Sequence, residues 1–135
     1  MTTRREARKL ALQALYEIDA VGREPDSALN HLLGESSASD ESSSFTRSLV
    51  NGVMEKREQI DATIQRYAPA WPVDQIAVID RNVLRLAIFE ILFDNKVPVK
   101  VAVNEATELA KSFGSETSAK FVNGVLGAAS ATASR

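Results

Sequence analysis

The chain has 135 residues, a net charge of −2, 44% hydrophobic and 25% charged residues, and no cysteine. That length fits one globular domain with a buried core. The missing cysteines exclude a disulfide framework, a thiolate metal site and a cysteine nucleophile. The start, MTTRREARKL, is no apolar signal peptide, so a cytoplasmic protein is expected.

The first helix is predicted from about Thr3 to Ala20, with Thr3 and Glu6 in capping-box spacing. Ala7, Leu10, Ala11, Ala14, Leu15 and Ile18 follow the spacing of a core-facing stripe. The opposite face gathers Arg5, Arg8, Lys9, Leu12 and Tyr16. Arg4 and Arg5 stand in the first turn, where the helix dipole favours negative charge. Leu12 and Tyr16 stand among charges, on the wrong side for the core. Local rules broken without local gain point to function. The face is either a ligand-binding surface, or a solvated basic face with Leu12 and Tyr16 under a neighbouring helix. The basic start contrasts with residues 17–44, where seven acids face Arg23 alone. Such a chain can bind a polyanion at one end while its net charge stays acidic.

Val21-Gly22 ends that helix, and Pro25 suits the first turn of a short second one bearing Leu29, Leu32 and Leu33. His31 is the only histidine and is read as a surface residue. ESSASDESSS, residues 35–44, is read as a flexible loop. Phe45, Leu49 and Val53, then Ile60, Ile64 and Tyr67, supply helical material with a break near Lys56–Glu58. Pro69 and Pro72 end it. They mark the expected boundary between an N-terminal subbundle, about 1–68, and a C-terminal one, about 73–131, within one domain spanning 1–135.

The stretch Val73–Phe93 is the most continuously apolar and is read as a central, buried helix. Asp74, Arg81 and Arg85 fall on one stripe, its expected outlet to water. Five charges there argue against a membrane span. Glu90, among Ile88, Phe89, Ile91 and Leu92, is expected to be satisfied by an amide or a cation. Asp94-Asn95-Lys96 is a turn. Val97–Val103 has alternating valines, but a lone strand is improbable, and Ala102, Ala106, Leu109, Ala110 and Phe113 make a helical stripe. Gly114 stops that helix and Ser115 caps a last one. The tail ATASR is read as frayed. The fold class is therefore all-α, about seven helices in two packed subbundles. No converging catalytic groups, metal-ligand cluster or phosphate loop are found, and no cofactor is expected.

RREARKLALQALYE at Arg4–Glu17, VLRLAIFEI at Val83–Ile91 and, above all, VPVKVAVNEATELAKSFGSETSAKFVNGVL at Val97–Leu126 closely resemble the NusB family of bacterial transcription antitermination factors. The resemblance implies a fold of two helical bundles and no catalysis. It implies binding of the single-stranded boxA element of ribosomal RNA leader transcripts. It also implies a heterodimer with NusE, a ribosomal protein, within the RNA polymerase antitermination complex. Arg4, Arg5, Arg8 and Lys9 carry over as RNA contacts, as do Lys111, Phe113, Lys120 and Phe121 around the KSFG turn. Tyr67 and Arg85 match positions of RNA contact. Asp80 stands where the family places an acid facing NusE. Arg81 shares its stripe, and Tyr16 with Leu12 marks the same functional edge. Thr117 departs from members that carry an acid there. The family also allows a homodimer that hides the RNA face.

Aromatics that stack bases and cations that meet phosphates are the usual means of reading single-stranded RNA. Arg5, Arg8 and Lys9 with Tyr16, and Lys111 and Lys120 with Phe113 and Phe121, are two such pairings. Phe113 also continues a core stripe, whereas Phe121 lies off the Ala119–Val122–Leu126 line and is expected to be exposed. A similar helical domain precedes some ribosomal RNA cytosine methyltransferases, but nothing here suits S-adenosylmethionine. A purely structural adaptor is the third reading.

Overall fold

Seven α-helices are present among the described residues, which in this computed structural model are 3–131, with Thr3 described for its backbone alone. The capping expected of the Thr3 side chain, and the end of the tail beyond Ala131, lie outside the described residues. The helices are α1 (Thr3–Tyr16), α2 (Pro25–Glu35), α3 (Asp40–Glu55), α4 (Arg57–Tyr67), α5 (Val78–Ile88), α6 (Val99–Phe113) and α7 (Glu116–Ser130).

Helix α5 is the hub. It packs against α1, α3, α4, α6 and α7, while α1 lies on α2 and α3, and α6 pairs with α7. Val83, Leu84, Leu86, Ala87 and Ile88 are buried, and one continuous core joins them to residues of every other helix. No helix among the described residues is long and apolar enough to cross a membrane.

Several boundaries differ from those expected. The serine-rich stretch is not all loop. Ser39 caps α3 by accepting a hydrogen bond from the Ser42 amide at 3.1 Å. Asp40 and Glu41 then occupy the first turn, where the dipole favours acids. Ser42 is buried, and the Thr46 hydroxyl donates to its carbonyl at 2.8 Å. The expected break at Lys56 is present, between α3 and α4. The central helix begins at Val78 rather than Val73, because Val73–Gln75 forms a 3₁₀ turn and Ile76 is extended. Gln65 holds this segment: its amide donates to the Trp71 carbonyl at 2.8 Å and accepts from the Val73 amide at 3.2 Å. Residues 99–113 are helical, as the stripe required.

Two π-helical turns were not foreseen. Glu17–Val21 extends α1 and Phe89–Asp94 extends α5, and each stops at a left-handed residue, Gly22 with φ 82° and Asn95 with φ 57°. Such turns shift the phase of a helix by one residue. Here each carries an acid, Asp19 or Glu90, that meets an arginine of another helix. The second also sets Phe89 against α3, where a Cβ at Gly52 would enter its ring.

Candidate functional site

Two grooves lie side by side where α1 meets the C-terminal half of α6. The first, about 330 Å³, is lined by Arg5, Arg8 and Lys9 from α1 and by Glu105, Glu108, Leu109 and Ser112 from α6. Arg5 is exposed and grips Glu105 through two hydrogen bonds, Nε at 3.1 Å and Nη2 at 3.0 Å. The hydrogen bond and charge of Glu105 raise the Arg5 pKa. Lys9 is half-buried and has no ionic partner among the described residues.

Arg8 does not belong to an open basic face. Its side chain is 4% exposed, and Nε and Nη2 each donate to the Glu90 carboxylate at 2.9 Å. Glu105 lies 3.6 Å from its Nη1. The acid expected to need a partner has found this one, and the arginine is turned inward to supply it. Arg4 departs in the other direction. Its guanidinium sits 4.5 Å from the Phe45 ring centre on α3, in a groove with Glu41 and Lys96.

The second groove, about 340 Å³, is lined by Leu12, Gln13, Tyr16, Glu17, Leu32, Ile79 and Phe113. Leu12 is buried, because α1 presents it to this groove floor rather than to water. Tyr16 and Phe113 are exposed on its rim. A third groove, about 340 Å³, lies beyond Ile79, between the N-terminal end of α5 and the start of α7. Trp71, Gln75, Ile76, Ala77, Asp80, Thr117, Ser118 and Phe121 line it. Phe121 is half-buried and packs on the core, correcting the expectation that it is exposed. Ser115 accepts from the Ser118 amide at 3.1 Å and so fixes the start of α7. On the outer face of α6 and α7, Lys111 lies 3.4 Å from Glu116, and exposed Lys120 has no ionic partner among the described residues. Glu108 lines this face and the Arg5 groove, so the two adjoin.

The stripe on α5 is not an outlet to water. Arg85 is 7% exposed, with Nε and Nη2 on Asp61 at 2.8 and 3.0 Å and Nη1 on Asp19 at 2.9 Å. Arg81 grips the same Asp19 at 2.6 and 2.7 Å and donates to the carbonyls of Asp74 and Ile76. Both guanidiniums are committed inside, so Arg81 positions the segment before α5 rather than offering a free cation. Tyr67 is half-buried against the core under the Arg66 guanidinium, 5.4 Å from its ring centre. The partner acids Asp19, Asp61 and Glu105 were missed. Asp19 and Glu105 lie on other helices, with no local pattern to flag them.

Burial alone pushes the Asp19 carboxyl up. The hydrogen bonds from Arg81 and Asn82, with the charges of Arg85 and Arg81, outweigh it and bring the pKa down to about 2. A depressed carboxyl stabilises the fold above the ordinary carboxylate range and loses that contribution as pH falls through its folded value. From about pH 5 to about pH 2, the stability advantage of the natural chain over Asp19→Asn should shrink by roughly 2 kcal/mol. Thermal melts of both across that range check this. A gap independent of pH would contradict it.

An all-α protein with grooves strung along α1, the start of α5 and the α6–α7 turn is thus defined. The chain belongs to the NusB family, whose model matches residues 5–131. It is 53% identical over 129 residues to the transcription antitermination protein NusB of Dehalococcoides mccartyi strain CBDB1, covering 96% of this chain and 90% of that one. T. maritima NusB superposes with a TM-score of 0.91 at 34% identity, covering 99% of this chain and 94% of that chain. A crystal structure of the antitermination factors NusB and NusE in complex with dsRNA matches with a TM-score of 0.89. There the identity is 27%, covering 97% of this chain and 98% of that one.

Proposed function

We propose that this protein is a transcription antitermination factor that acts by binding. It holds single-stranded boxA RNA of ribosomal RNA leader transcripts together with NusE, and with them joins the RNA polymerase antitermination complex. The observation that carries this reading is the continuity of one edge. The charged groove at Arg5 and Lys9 and the apolar groove at Tyr16 and Phe113 both border α1 and the C-terminal half of α6, and α2 and α5 complete the apolar one through Leu32 and Ile79. Tyr16 stands seven residues beyond Lys9, roughly 10 Å along a helix rising about 1.5 Å per residue. RNA suits the charged groove and the adjoining Lys111–Lys120 face. A protein suits the apolar groove. The family and the solved NusB–NusE–RNA assembly support the pairing.

Within this reading Arg5, Lys9, Lys111 and Lys120 meet phosphates, and Phe113 at the rim can stack a base. Arg8 acts behind them: with Glu90 it fixes α1 on α5, while Glu105 orients Arg5. Pull-down with NusE, with and without a boxA-like RNA, tests the assembly. A salt titration tests the RNA site. Lys9→Ala with Lys120→Ala should weaken RNA binding and flatten the salt dependence by about 0.7 for each phosphate no longer neutralised. Unchanged affinity and slope would remove these lysines from the site.

A further inference from the structure

We propose that Glu105 stands in for an RNA phosphate: it holds Arg5 in the free chain and is displaced from it when RNA binds. This rests on the reading of Arg5 as a phosphate contact, and adds a residue that sets how tightly the groove takes RNA.

The charged groove is nearly charge-balanced in the free chain. Arg5, Arg8 and Lys9 line it against Glu105 and Glu108, and Arg8 is already engaged by Glu90 behind the groove. A polyanion therefore meets little net positive charge there. The balance turns on one pair. Arg5 Nε and Nη2 lie 3.1 and 3.0 Å from the two carboxylate oxygens of Glu105. A guanidinium makes the same two-pronged fit with a phosphate. A phosphate added beside this pair, with both acids in place, would meet two like charges. A phosphate that takes the carboxylate's place keeps the fork and moves Glu105 aside.

The pair is weak enough to exchange. The Arg5 side chain is 56% exposed, and an ion pair so open to water contributes little to the fold. Glu105 does not lose every counter-charge when Arg5 leaves, because Arg8 Nη1 lies 3.6 Å from its Oε1. Arg8 is held by Glu90 and keeps its place through the exchange. Glu108 differs in kind. It lines the same groove and its charge acts on Arg5 through space, whereas Glu105 accepts the two hydrogen bonds. An RNA must therefore out-compete an internal anion for Arg5, which keeps purely electrostatic binding weak.

Fluorescence anisotropy with a boxA RNA oligonucleotide and the full chain tests the exchange. The variants are Glu105→Gln, Glu108→Gln, Arg5→Ala, and Arg5→Ala combined with Glu105→Gln. Thermal melts followed by circular dichroism check that each is folded. Glutamine keeps the size of the side chain and removes its charge. Glu105→Gln should tighten RNA binding about fivefold, the upper end of what an exposed ion pair is worth. Glu108→Gln should tighten it by no more than about twofold, the effect of a nearby charge screened by salt. With Arg5→Ala in place, the gain from Glu105→Gln should fall to that of Glu108→Gln, a coupling the double-mutant cycle reads directly. Glu105→Asp shortens the reach and keeps the charge, and gives a second reading should Glu105→Gln melt early. It too should tighten RNA binding, by about twofold. RNA binding that is equal or weaker in Glu105→Gln and Glu105→Asp, or a gain that is the same with and without Arg5, would overturn the exchange. Failure of the natural chain to bind boxA RNA would overturn the functional reading instead.

Discussion

Replacing Arg8 with Ala is expected to destabilise the fold by about 3–5 kcal/mol and to lower its Tm by roughly 10–20 °C. Glu90 is 2% exposed, and Arg8 supplies both of its 2.9 Å hydrogen bonds from α1. Truncating the arginine leaves a buried carboxylate without its guanidinium, which costs far more than the pair itself contributes. The double variant Arg8→Met with Glu90→Leu should recover most of the loss, because it removes both charges and keeps the volume. Arg8→Lys should recover little, since an ammonium cannot reproduce the two-pronged geometry. Thermal melts followed by circular dichroism measure all three. RNA affinity of Arg8→Ala, taken below its melting range, should stay close to that of the natural chain. A variant that melts normally yet loses RNA would put Arg8 back on the surface.

Much of the architecture was legible, and the reasons are local. The run at Val83–Phe93, apolar except at Arg85 and Glu90, could only be a buried hub. Pro69 and Pro72 had to end α4. The Ala102–Phe113 stripe outweighed the alternating valines before it. Glu90 in an apolar run required a counter-charge, and it has one. What escaped depends on pairing between helices. Arg5 and Arg8 lie on the same arc of α1, and nothing in that helix says which turns inward. Glu90, carried by the π turn after α5, decides it. Arg81 and Arg85 looked exposed for the same reason: Asp19 sits in a π turn, out of phase with any straight helical stripe. The cap at Ser39 was hidden within a run of serines whose composition resembles a loop. The site was legible as a charged and aromatic edge. Its division into a charged groove and two apolar ones was not.

RNA and NusE are expected to bind with positive coupling. The grooves assigned to them share α1 and α6, so seating one ligand orders walls that the other uses. Tyr16 stands on the boundary, exposed at the rim of the apolar groove and about two helical turns from Lys9. Its ring can pack on the partner while its hydroxyl stays in water. Tyr16→Asp should depress both affinities, by placing a negative charge beside the phosphate path and removing an aromatic wall. Linkage requires that RNA tighten NusE binding by the factor with which NusE tightens RNA binding.

The direct measurement is the affinity of this chain for boxA RNA, at one salt concentration, with NusE absent and with NusE saturating. A shared edge predicts tightening by about 5- to 150-fold, the range of a 1–3 kcal/mol coupling. Equal affinities would show two independent sites and contradict it.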